Sequence, residues 1–244
     1  INVAIFSPSG GNIGMSFAIP INSAKRILSD LIKGKKVVYG WLGIGLQDIT
    51  PDIAAYLKLP NLEGTLIAIV QEGSPAEKGG LKSGDIVKTY NGEAVTDLRG
   101  LIDRVNYSKV GETLEVGIIR NGKTMMIQAT IGERPGEVTK ESEKPKPAPQ
   151  PSPAAQIDMW RGMKIASITN ELAAKLNLTD KKGVVIVEMV PKGPVYSTGL
   201  RPGDVIKEIN RVSINNEADY RNVIGSAKGN VLLRTNKGYF VIKE

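Results

Sequence analysis

At 244 residues, with 41% hydrophobic and 23% charged side chains, the chain has the composition of a soluble globular protein with room for about two domains. It contains neither cysteine nor histidine, which excludes disulfides, thiolate nucleophiles, the usual transition-metal ligands and any Ser-His-Asp mechanism within the chain; no metal and no cofactor are expected. The net charge of +7 is spread along the sequence without the aromatic-plus-basic strand motif of nucleic-acid readers, so nucleic acid is not expected as a partner, whereas peripheral membrane contact stays open.

The sequence starts at Ile1 rather than Met and shows no signal-peptide pattern, so it reads as beginning inside a longer protein. Residues 1 to 36 open with INVAIFSPSGGNIGMSFAIP and lead into a connecting helix. Trp41 to Gln47 alternates as a strand does, and Thr50-Pro51-Asp52 supplies an N-cap and a first-turn proline for a short helix ending at Leu57. Thr65 to Val70 reads as a buried strand, Ser74-Pro75 as the start of another short helix, and Ser83-Gly84 as a turn. Ile86 to Tyr90 is a strand closed by the hairpin signal Asn91-Gly92. Leu98, Leu101, Ile102 and Val105 form the i, i+3, i+4, i+7 stripe of an amphipathic helix over Asp97 to Val105. Leu114 to Ile119 and Thr124 to Thr130 make a hairpin around Asn121-Gly122. Glu133 to Gln156 has no apolar periodicity and carries prolines at near-alternate positions from Pro145 to Pro153. That predicts a semi-rigid, polyproline-like linker that lets its neighbours reorient.

The part after the linker repeats the part before it. Gly64 to Asn91 and Gly183 to Asn210 align without a gap at an offset of 119, matching Gly64/Gly183, Pro75/Pro194, Gly84/Gly203, Asp85/Asp204 and Asn91/Asn210. The same offset places Trp41-Leu42-Gly43-Ile44 on Trp160-Arg161-Gly162-Met163. A register held over that span is a duplication, and at this period each copy is a domain. The second copy ends in a shorter turn, Arg234 to Gly238, and a final strand, Tyr239 to Lys243.

Two motifs bear on chemistry. In Tyr39-Gly40-Trp41-Leu42-Gly43-Ile44 the glycines let successive backbone N–H groups converge into a nest able to hold a carboxylate, directly before a strand to whose edge an extended peptide can add. Gly84-Asp85 and Gly203-Asp204 look like a catalytic pair, but the better reading is structural: glycine makes the turn and aspartate hydrogen-bonds within the loop.

The segments GSPAEKGGLKSGDIV and KGPVYSTGLRPGDVI, with the Leu42-Gly43-Ile44 loop, are similar to PDZ domains, and a loop at the domain's start resembles those of the HtrA/DegP stress proteases. The resemblance implies that Trp41, Leu42, Gly43 and Ile44 form the carboxylate loop, Ile44 and Leu46 the strand-side wall, and Leu101 and Val105 the helix-side wall. In the second copy the equivalents are Arg161, Gly162, Met163, Ile165, Tyr220 and Ile224. There a long cation replaces Leu42, so weaker or different binding, or a role in domain contacts, is expected. INVAIFSPSGGNIGMSFAIP resembles the last strands of the family's trypsin-like barrel, which implies that Ile13, Gly14 and Met15 shape its specificity pocket or simply pack beneath it.

The implied fold is α+β, mainly β: two partly open PDZ-type barrels with flanking helices behind the last strands of a protease barrel. The implied boundaries are a protease tail and connecting helix at 1–36, a PDZ domain at 37–132, a linker at 133–156 and a second PDZ domain at 157–244. The implied function is the C-terminal part of a periplasmic HtrA/DegP-like serine endopeptidase for protein quality control. Its PDZ domains would bind unfolded or misfolded proteins and peptides with free apolar C-termini, and the intact protein would be a homo-oligomer, a trimer or larger. This chain holds no catalytic residues of its own. The alternative is a non-enzymatic PDZ scaffold or chaperone-like peptide-binding module.

Overall fold

The computed structural model describes residues 1–5, 16–34, 37–135, 159–175, 178, 182–191 and 193–244. At the start, β1 (Asn2–Ile5) pairs antiparallel with β2 (Ser16–Ala18), followed by α1 (Ile21–Ile32). Among the described side chains of this segment Phe17 is 59% and Ile32 76% exposed.

The first module begins with β3 (Gly40–Trp41) and β4 (Ile44–Gln47). Helix α2 (Pro51–Leu57) starts where the Thr50 hydroxyl accepts the Ile53 N–H at 3.3 Å and Pro51 fills the first turn. After β5 (Thr65–Val70), Ser74 caps α3 (Pro75–Gly79) in the same way, accepting from Glu77 N–H at 3.2 Å. Then come β6 (Ile86–Tyr90), β7 (Glu93–Ala94), α4 (Leu98–Tyr107), β8 (Thr113–Arg120), β9 (Lys123–Thr130) and β10 (Gly132–Glu133). The main sheet runs β4-β5-β6-β8-β9, antiparallel and open, so among the described residues β4 is an edge strand. A second ladder, β3 with β10, pairs Trp41 with Gly132 and Gly40 with Glu133. The first domain thus runs past 132 into the stretch read as linker. Leu42, Ile67, Leu101, Val116, Ile118 and Ile131 form its buried core.

The second module repeats the plan with β11 (Met163–Ser167), α5 (Asn170–Lys175), β12 (Val184–Met189) and a 3₁₀ turn (Tyr196–Thr198). It continues with β13 (Val205–Ile209), β14 (Val212–Ser213), α6 (Glu217–Ile224), β15 (Val231–Thr235) and β16 (Gly238–Ile242), in the order β11-β12-β13-β15-β16. Each β13-like strand is followed by an Asn in the left-handed region, Asn91 and Asn210, which makes the tight turn predicted there.

The sequence reading lets the two domains reorient; the structure docks them. The Gln47 amide bridges the free edge of β16, its Nε2 donating to Tyr239 O at 2.7 Å while its Oε1 accepts the Tyr239 N–H at 2.8 Å. Around this pair Ile49, Ile53, Leu66 and Ile86 of the first module pack against Leu232, Tyr239 and Val241 of the second. The Tyr56 hydroxyl donates to Asn210 Oδ1 at 2.9 Å, and Lys243 pairs with Asp52 at 3.0 Å. Burial first, then the Glu208 carboxylate, pushes the Tyr239 hydroxyl up to about 12. The folded state favours the neutral phenol, so this group's contribution to stability is fully present below the ordinary value of 10.0 and is lost as pH rises through about 12. A Gln47→Ala, Tyr239→Ala double variant is expected to release the modules at neutral pH, seen as a larger radius of gyration in X-ray scattering. An unchanged scattering profile would show that the contact does not hold them.

Candidate functional site

The first module's loop is fixed by close backbone approach. A Cβ on Gly40 would sit 2.2 Å from Val105 O and 2.8 Å from Ser108 O, so only glycine lets the loop enter against the end of α4. That helix end is held by Ser108, whose hydroxyl donates to Arg104 O and lies 2.8 Å from the Tyr90 hydroxyl. At its other end Asp97 Oδ1 accepts the Gly100 N–H at 2.8 Å. That bond and the Thr96 hydroxyl hold the Asp97 carboxyl below its usual range.

Two carbonyls then turn inward. Leu42 O accepts the Ala76 N–H at 2.9 Å and Gly43 O accepts the Gln71 N–H at 2.8 Å, while the Leu42 side chain is buried in the core. Trans peptide geometry therefore points the Gly43 and Ile44 N–H groups the opposite way, toward the free edge of β4. Gly43 itself is at φ +76°, and a Cβ there would lie 2.3 Å from Ser74 Cβ and 2.9 Å from the Trp41 ring. Beside the amides opens a cavity of about 200 Å³. Its floor and strand wall are Gly40 to Ile44 and Leu46; its helix wall is Ile102, Val105 and Asn106; Arg134 closes one side. The arrangement offers converging amides at the head of an unpaired strand edge, with an apolar slot alongside.

Two regions of the chain match models of the PDZ domain, residues 40–131 and 154–233. A Rhizobium meliloti protein named probable periplasmic serine endoprotease DegP-like is 40% identical over 233 residues, 93% of this chain and 44% of that protein. Its namesake from Chlamydia muridarum is 35% identical over 240 residues, 98% of this chain and 45% of that protein. The chain carries two PDZ domains and is similar over nearly its whole length to proteins named DegP-like. It spans less than half the length of these relatives. Among solved structures, the HtrA-type protease AlgW with tripeptide superposes at a TM-score of 0.52 with 35% identity, over 56% of this chain and 46% of that one. AlgW with decapeptide gives 0.51 and 35%, over 56% and 42%.

In the first PDZ domain the structure brings Trp41, Leu42, Gly43, Ile44, Leu46 and Val105 to the groove. Leu101, expected on the helix wall, is 1% exposed and packs in the core, whereas Ile102, one residue on, is 40% exposed and takes the wall. Both lie on the same apolar stripe; the helix rotates its buried edge through Leu101 and Val105, and the stripe alone does not say which edge meets the loop. Asn106 and Arg134 carry no sequence signal, because the first is polar on an amphipathic helix and the second lies inside the stretch read as linker. Ile13, Gly14 and Met15 lie outside the described residues.

The second PDZ domain closes the same loop differently. Trp160 and Met163 bond to each other across the turn, N–H to carbonyl at 3.1 and 3.0 Å, so the Met163 amide is consumed. The corresponding Trp41 pairs instead with Gly132. Arg161 and Gly162, at φ 49° and 81°, are the two left-handed residues of a tight hairpin turn. The Arg161 guanidinium donates to Gly229 O and to Ile242 O, and lies 5.2 Å from the Trp160 ring. Tyr220 is fully buried and stands edge-on to Trp160 at 6.0 Å; Met163 and Ile165 are buried as well, and Ile224 packs at the rim. Tyr220 stands at the position of Leu101, which packs in the first domain's core.

The Gly-Asp pairs are structural in both copies. Asp85 accepts the Lys82 N–H and a two-pronged pair of bonds from Arg120, and Asp204 accepts the Arg201 N–H and pairs with Lys237.

Proposed function

We propose that this chain recruits substrates for a periplasmic serine endopeptidase of the HtrA/DegP type, with the first PDZ domain capturing free, apolar C-termini of unfolded proteins by β-augmentation. The observation that carries this is the pair of amides at Gly43 and Ile44, turned outward at the head of the β4 edge beside an apolar slot. The peptide's carboxylate meets the amides, its backbone extends β4, and its last side chain enters the slot. Peptide-bond cleavage belongs to groups outside this chain, which has no histidine. The second domain, with its loop amide consumed, serves docking rather than capture of C-termini. Periplasmic location follows the relatives' names and suits a chain without cysteine. Assembly into a homo-oligomer is carried over from the family.

The test is a fluorescence titration of the chain with a peptide ending in valine, as the free acid and as its amidated twin. Micromolar binding of the acid and none of the amide is expected, because one nest and a short strand addition make a small interface. Equal binding of acid and amide would remove the carboxylate from the account and with it this reading of the groove.

A further inference from the structure

We infer that the free edge of β16 is a second strand-addition site, which takes an extended internal segment of polypeptide in the cleft between the two modules and needs no free C-terminus. The register of the last hairpin decides which groups of β16 are free. Leu232 stands opposite Val241; it spends its N–H on Asn210 Oδ1 at 2.9 Å and its carbonyl on the Asn210 N–H at 2.8 Å. Both backbone groups of Leu232 thus face β13. Antiparallel strands alternate between pairs that exchange both bonds and pairs that exchange none. Val241 therefore directs its N–H and carbonyl away from β15, as Tyr239 does two residues earlier. At Tyr239 the Gln47 amide takes both groups, donor to acceptor and acceptor to donor. A carboxamide offers the same N–H and C=O as a peptide group, so Gln47 fills one position of this edge as an added strand would. Val241 has no such partner among the described residues, although it is only 7% exposed.

Val241 lines a cavity of about 660 Å³ walled by both modules, with Thr50, Asp52 and Ile53 from the first and Pro194, Tyr196 and Ser197 from the second. Binding sites of about 300–1,000 Å³ are usual for small ligands, so a short stretch of peptide has room. The walls suit a strand, whose side chains alternate between two faces. Tyr239 and Val241 pack toward Ile53, whereas Phe240 packs toward the second module's own core and lies beside Gly199, which ends the 3₁₀ turn. A segment laid along the edge from where Gln47 stops pairs its backbone with Val241 and sends alternate side chains to the two walls. Backbone pairing between partly apolar walls selects an extended segment with β-branched residues, the kind that an unfolded protein exposes. Lys243, the cation among the described lining residues, is already paired with Asp52 at 3.0 Å, which leaves a terminal carboxylate no advantage here.

Amide NMR spectra of the isotope-labelled full chain, titrated with a peptide blocked at both ends, test the site. The probe is an acetylated and amidated stretch of alternating valine and threonine flanked by lysines; its control carries methylated backbone nitrogens. Shifts centred on Val241 are expected, with half-saturation at about 1 mM, far weaker than the C-terminal peptide in the first groove, because one backbone pair is a small contact. The methylated control should give none of them. Ser197→Trp fills the cavity from an exposed position outside the contact between the modules, and should weaken the blocked peptide about 5-fold or more. Gly43→Val, which disables the first groove, should leave its binding unchanged, so failure of either site is seen separately from the other. Equal shifts with the methylated control, or binding of parental strength by Ser197→Trp, would overturn strand addition to β16. Shifts centred on Gly43 and Ile44 and lost in Gly43→Val would place the blocked peptide in the first groove and overturn the second site, as would the absence of any shift up to about 10 mM.

Discussion

Gly43→Val is expected to weaken binding of a free-acid peptide by about 100-fold or more, because it removes two charge-assisted amide bonds at once, each of about 1.5–3 kcal/mol. The loop cannot absorb the new side chain. At φ +76° a β-branched residue is strained, and its Cβ would fall 2.3 Å from Ser74 Cβ. Ser74 cannot give way cheaply: it is buried, and its hydroxyl caps α3 by accepting the Glu77 N–H. Trp41, on the other side, is held by its ladder to Gly132. The loop must therefore rotate Gly43 out of the left-handed region, which turns the Gly43 and Ile44 amides off the groove. The core beneath, from Ile67 to Ile131, does not depend on that rotation. Peptide binding should vanish while the tryptophan-monitored unfolding temperature drops only a few degrees. Retained binding by this variant would mean that the amides of Gly43 and Ile44 do not hold the carboxylate.

What the sequence made legible was what local chemistry determines. Thr50-Pro51 and Ser74-Pro75 open helices where they were expected to, since a cap and a first-turn proline need only their own neighbours. The duplication and the loop motif named the fold and the place of the groove. What stayed hidden was decided by contacts between distant segments. Gln47 reads as an ordinary strand residue, yet its amide reaches across 192 positions to the backbone of Tyr239. A proline-rich linker speaks for freedom of its neighbours, and says nothing of the apolar patch around Ile53 and Val241 that brings them together. Arg134 escaped because β10 has two residues and no periodicity, too short to be read as a strand. The altered second loop was half visible: Arg161 in place of Leu42 announced a change, but its bonds to Gly229 O and Ile242 O follow only from the fold.

Asp85→Ala is expected to destabilise the first domain by about 3–5 kcal/mol, the cost of leaving one partner of a buried ion pair alone. Asp85 is 1% exposed, and its two oxygens take Arg120 Nε and Nη2 at 2.6 Å each, with Lys82 N–H at 2.8 Å. Arg120 also donates to Gly80 O, so the pair ties the turn after α3 to the end of β8. Removing the carboxylate strands a guanidinium whose side chain is only 19% exposed. The second domain offers an internal comparison. Asp204 is as buried as Asp85, but its partner Lys237 is 53% exposed and returns to water when the pair is broken. Asp204→Ala should therefore cost less than Asp85→Ala, although the two aspartates are equivalent by sequence. The order can be read domain by domain, because Trp41 reports on the first and Trp160 on the second when the other is replaced by Phe. Restoring an apolar partner, as in Asp85→Ala with Arg120→Met, should recover part of the loss, since no charge is then left buried. Equal losses for the two aspartates, or no recovery in the double variant, would show that the turn's own hydrogen bonds, and not the ion pair, set the stability of this corner.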